Sequence, residues 1–175
     1  MKSIVLALCT IICIISSAQK NIVLRLNHYL NQSTFQYNQN FETDGIINKY
    51  TRLQYYLSGF ELFHDGGQMT VLNNTYVLAS GHITNYYLGN FPVSSLETIS
   101  FDVGVDQIAN SGNTTNYPAS HPLGPKSPPM DWGWPSGYFF VVTNGFTDSN
   151  NDNNPDTRFE LQALGDQMLS PVDQI

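Results

Sequence analysis

ISFDVGVD, residues 99–106, sets Ile99, Phe101, Val103 and Val105 against Ser100, Asp102, Gly104 and Asp106. Side chains two apart on an extended chain share a face, so this alternation predicts a half-buried strand with the four apolar residues inward. Working outward, the same period recurs. In NIVLRLNHYL, residues 21–30, Ile22, Leu24, Leu26 and His28 fall on one face and Val23, Arg25, Asn27 and Tyr29 on the other. RLQYYLSGFELF (52–63) predicts a strand to Gly59 followed by a second short strand, HDGGQ (64–68) a turn, and NNTYVLAS (73–80) and RFELQALG (158–165) further strands. Ten tyrosines and ten phenylalanines favour sheet, and no stretch carries the 3.6-residue stripe that a crossover helix needs. The expectation is an all-β fold, a β-sandwich of antiparallel sheets with long polar loops and short helical turns near Ile108 and Met168. A mixed α/β fold is the runner-up. Residues 107–129, rich in Asn, Ser, Gly and Pro, predict a long surface loop whose length points to function. The last ten residues show no pattern.

The chain opens MKSIVLALCTIICIISSAQK. One basic residue, an apolar run from Ile4 to Ile15 and the small residues Ser16, Ser17 and Ala18 predict a signal peptide over 1–18, leaving one domain over 19–175. The apolar run is short of the ~20 residues that span a bilayer, so no membrane span is expected in the mature chain. Both cysteines, Cys9 and Cys13, lie in this leader. The mature domain therefore has no disulfide, no thiolate ligand and no cysteine nucleophile. The whole chain has 7 basic and 14 acidic residues, one of the basic ones being Lys2 of the leader, so the mature domain, with no basic cluster, would repel a phosphate backbone, which excludes nucleic acid as a partner. An acidic exported domain suits a cationic partner or a metal ion.

No Gly-x-Ser-x-Gly elbow, His-Glu-x-x-His helix or phosphate-binding glycine loop is present, so the residues give no signature of an enzyme. Four histidines remain. His28 falls on the apolar face of its strand, where an imidazole needs a partner, either a metal or a hydrogen bond. His64 reads as a solvated turn residue and His82 as a surface one. His121 lies in the long loop, as a positioned ligand or simply exposed. Asp148, Asn150, Asp152 and Asn154 alternate like calcium-loop oxygens, but the central glycine is missing and Phe159 stands at the twelfth position. An ordinary Asn-rich loop is the other reading. The only two tryptophans, Trp132 and Trp134, flank Gly133; on an extended strand they would lie side by side, as a core-edge pair or as a functional site.

LRLNHYL (24–30), RLQYYLSGFEL (52–62), ISFDVGVD, HPLGPKSPPMDWGWPSGYFFVVTNG (121–145) and RFELQALGD (158–166) together resemble the MbnP-like domain family, named for an exported copper-binding protein encoded with methanobactin genes. The resemblance spans about residues 21–166. It implies a β-rich domain of the periplasm or cell surface that binds copper. It also implies a di-haem partner of the cytochrome c peroxidase type, which oxidises a tryptophan of the Met-x-Trp-x-Trp run to kynurenine beside the ligating histidines. Trp132 and Trp134 both match that run, Met130 adds a weak thioether ligand, His28 matches the family's first-strand histidine, and His121 matches its HPLGP loop. One departure matters: Gln162 stands where relatives carry a histidine, and its amide offers oxygen in place of a soft imidazole nitrogen. Two functions follow as expectations. One is an exported copper-binding domain using His28, His121, Gln162 and Met130. The alternative is a non-catalytic structural or interaction domain of the same fold that has lost its metal. Neither is an enzyme.

Overall fold

The computed structural model describes residues 19–175 apart from Trp134 and Gln174; the expected signal peptide over residues 1–18 lies outside the described residues. Among the described residues twelve strands run in order: β1 (Lys20–Arg25), β2 (Tyr29–Leu30), β3 (Ser33–Thr34), β4 (Asn40–Thr43), β5 (Ile46–His64), β6 (Gln68–Val71), β7 (Val77–Ser80), β8 (Asn85–Phe91), β9 (Leu96–Val103), β10 (Phe139–Thr147), β11 (Thr157–Leu164) and β12 (Ser170–Val172). One helix, α1 (Gln107–Asn110), and two 3-10 turns at Thr114–Asn116 and Asp166–Met168 complete the pattern. The helical turns expected near Ile108 and Met168 are both present. All strand pairings are antiparallel, and the fold is an all-β sandwich.

The nineteen-residue β5 organises the molecule. Along one edge it pairs first with β10 and then with β9; along the other it pairs in turn with β4, β7 and β6. β11 extends the sheet beyond β10, and β12 extends it beyond β9. The sequence reading broke β5 at Gly59. The chain instead passes through that glycine as a bulge, with φ +62° and a shift of register against β9 between Ser58 and Glu61. An extra residue in one strand inverts which side chains face inward. Accordingly Leu57 before the bulge and Phe60 and Leu62 after it enter the same core.

Two apolar layers result, one on each face of the large sheet. On one side the β1–β8 ribbon brings Ile22, Leu24 and Leu88 onto Leu57, Phe60, Leu62, Ile99 and Phe101. The alternation read in residues 21–30 holds: Ile22 and Leu24 are buried and Val23, Arg25, Asn27 and Tyr29 are exposed. On the other side lies the 105–138 segment, where Val105, Ala109, Leu123, Met130 and Tyr138 pack with Tyr56, Phe139, Phe140 and Val142. Val105 was expected beside Ile99 and Phe101. It joins the opposite layer because the strand ends at Val103 and Gly104, at φ +133°, turns the chain over. The 107–129 segment is largely exposed, as expected of a surface loop, but is pinned to the sheet: Leu123 has no exposed surface, and its carbonyl and that of Pro122 accept the hydroxyls of Tyr138 and Tyr56.

Candidate functional site

His28 follows β1 at the start of a small hairpin, where its carbonyl accepts the Phe35 amide at 2.9 Å. Its Nε2 is 2.7 Å from the Tyr55 hydroxyl, and the Phe35 and Tyr55 rings stand edge-on to it. Burial lowers the His28 pKa and pushes the Tyr55 hydroxyl up to about 12, so near neutral pH this is a neutral imidazole against a protonated phenol. His28 lines a cleft of about 430 Å³ with Tyr29, Leu30, Phe35, Tyr50 and Leu53. It also borders a second cleft of about 310 Å³, shared with Tyr37 and His82. His82 itself is exposed, as read from sequence, with Nδ1 2.9 Å from Ser80 Oγ.

Met130 lies across the sheet. Residues 53 and 55 of β5, against which His28 rests, alternate with Arg52, Gln54 and Tyr56, whose side chains meet the 105–138 layer. Met130 has no exposed surface, and its Sδ accepts a hydrogen bond from Arg52 Nη2 at 3.0 Å. The same nitrogen donates to the Pro129 carbonyl at 2.8 Å, and Arg52 Nε donates to Gln54 Oε1 at 2.7 Å. A thioether facing a guanidinium presents its lone pair to a positive charge, which is hostile to a second cation.

Residues 130–133 and 136–139 are bonded to each other as the two arms of a hairpin. Phe139 N donates to the Met130 carbonyl, Trp132 N to Gly137 and Ser136 N to Gly133, with a bridge between Asp131 and Tyr138. Gly133 sits at φ +81° and its amide is held by Asp131 Oδ1, so the backbone turns at Gly133 where an extended strand was expected. Trp132 is 63% exposed, its ring edge-on to Phe139 at 5.5 Å. Trp134 lies outside the described residues.

Gln162 is half-buried in β11, opposite Val142, and donates from Nε2 to Glu160 Oε1 at 2.7 Å. His121 stacks on Tyr117 with ring centroids 4.6 Å apart, and its Nδ1 accepts the Leu123 amide at 3.1 Å. Burial, and then the Lys126 charge, lower its pKa. The structure therefore brings Met130 and Trp132 into one region, with Gln162 on the same face of the sheet as Arg52, and sets His28 on the opposite face. Among the described residues no group of three or more His, Asp or Glu side chains could hold a metal. Of the nominated donors, His28 and Met130 thus stand on opposite faces of the sheet.

Two other sequence readings meet the geometry differently. His64, expected in a solvated turn, ends β5 and is 4% exposed, with Nδ1 3.0 Å from Asp65 Oδ2 and Nε2 2.9 Å from Thr70 Oγ1. In the 148–154 loop the carboxylates face the loop's own amides: Asp148 accepts from Asp152 and Asn153, and Asp152 accepts from Asn154. The loop is thus held by its own side-chain-to-backbone bonds. The residue that sequence reasoning missed is Arg52. Its signal was a cation inside an aromatic strand, where a half-buried charge must find partners.

The family described as MbnP matches residues 19–173. None of the curated proteins matches. Among solved structures, MbnP from Methylosinus trichosporium is similar, with a TM-score of 0.61 at 15% identity over 83% of this chain and 62% of that one. This chain thus spans about three fifths of that protein's length. At such identity the likeness is one of fold.

Proposed function

The chain belongs to the MbnP family, and on that premise we propose that it is an exported, non-catalytic interaction domain that keeps the family fold without a converged copper centre. One observation carries this reading: the sulfur nominated as a soft ligand is taken by Arg52, while the first-strand histidine stands on the other face of the sheet. A soft copper site needs two or three nitrogen or sulfur donors at one point. Export rests on the leader-like residues 1–18, and no helix among the described residues is long and apolar enough to cross a membrane. The exposed indole of Trp132 on a pinned hairpin is the type of aromatic anchor that protein interfaces favour, and the net charge of −7 suits a cationic partner.

A second reading keeps copper at His28. It is favoured by the neutral imidazole held by Tyr55 on the wall between two clefts. Metal analysis of protein purified from its native cells, with intact mass alongside, separates the two. A competitive titration of the parent and His28→Ala against a calibrated Cu(I) chelator completes the test. The first reading expects sub-stoichiometric copper, unmodified tryptophan and equal weak affinity in both proteins. Stoichiometric copper, lost in His28→Ala, would overturn it and establish the second, and a mass shift on a tryptophan would bring in the di-haem partner.

A further inference from the structure

We propose that the Arg52 guanidinium is a resident cation that closes the Met130 end of this fold to metal, so that a histidine restored at 162 does not by itself make a copper site there. The inference rests on the reading that no converged centre is present, and it names the residue that closes the Met130 end. Arg52, Asn144 and Glu160 align across β5, β10 and β11, and Gln54, Val142 and Gln162 form the next row on the same face. Three electron-pair donors on this face already serve one cation: Met130 Sδ, the Pro129 carbonyl and Gln54 Oε1 all accept from Arg52. A fourth, the buried Asn144 Oδ1 in Arg52's own row, has no hydrogen-bond partner among the described residues. The face is built around a positive charge, and the chain supplies that charge itself.

The electrostatic consequence is direct. Two unit positive charges about 4 Å apart near a protein surface repel by roughly a thousandfold in affinity. Copper held by Met130 Sδ would sit against the guanidinium that this sulfur already faces at 3.0 Å, whatever stands at 162, two strands away on the same face. Restoring the histidine alone would accomplish nothing.

The test is a set of variants titrated against a calibrated Cu(I) chelator, with circular dichroism to verify folding. Gln162→His alone is expected to match the parent within about threefold, whereas Gln162→His with Arg52→Leu binds Cu(I) at least about tenfold tighter. Adding Met130→Leu to that pair removes the gain, and Arg52→Lys in place of Arg52→Leu gives none because the charge remains. Arg52→Gln, neutral but still able to donate to the Pro129 carbonyl, serves where the leucine variant folds poorly. A full gain from Gln162→His alone would overturn the proposal. So would no gain from either neutral double variant, or a gain that survives Met130→Leu. These results leave the parent's own copper content untouched, so this inference and the functional reading fail separately.

Discussion

Asp102 shows how a single side chain can work against the fold at neutral pH. It projects from β9 over Gly59, and its pKa is raised, first by burial and then by the charges of Glu61, Asp173 and Asp106. A carboxyl group whose folded pKa lies above its unfolded value stabilises the fold at low pH, and that contribution is lost as pH rises through the folded value. The neutral isostere Asp102→Asn escapes that loss. Its Tm should exceed the parent's at pH 7, and the difference should fade towards about pH 3, where the parent carboxyl is also neutral. A variant less stable than the parent at pH 7 would show that the carboxylate makes a favourable contact. His64 teaches a related point: its ring sits between Asp65 and Thr70, and the HDGGQ turn signal belonged to the next three residues only.

At the scale of elements, the β5–β10 pairing governs the site because it sets which side chains of each strand face Met130. The two strands approach closely at Gly145, where a register shift occurs. A Cβ there would stand 2.3 Å from the Lys49 carbonyl and 2.7 Å from the Phe159 ring. A backbone oxygen cannot rotate away, so Gly145→Ala must part the strands. The expected loss is about 1–3 kcal/mol, read by urea denaturation, with β11 and its Gln162 displaced along with β10. A loss below ~0.5 kcal/mol would mean that the pairing is more pliant than the geometry indicates.

At the scale of the whole molecule, one sheet carries an apolar layer on each face, and β5 donates to both: Leu57, Phe60 and Leu62 to one, Tyr56 to the other. A strand shared in this way makes it costly for either layer to melt alone. Thermal unfolding should be a single transition, with coincident midpoints by far-ultraviolet circular dichroism, which reports the sheet, and by tryptophan fluorescence, which reports the 130–139 hairpin. An earlier fluorescence midpoint would mark the 105–138 layer as a separately unfolding unit.

The sequence by itself determined the fold class and much of the inward pattern. Period-two alternation in residues 21–30 and 99–103 reports a local property, which side of an extended chain is apolar, and burial of that side follows whatever the partner is. It also marked His28, His121, Met130, Trp132, Trp134 and Gln162 as candidate site residues, through residue types and motif. Only the tertiary structure decided that His28 and Met130 stand on opposite faces of one sheet. That outcome depends on the register of β5 against β10 and on which β5 residues His28 and Met130 meet, and a shift of one residue inverts every face. The same holds for Arg52: its partners Met130, Pro129 and Gln54 are set by a segment that returns to the sheet some eighty residues later, a closure that no local pattern encodes.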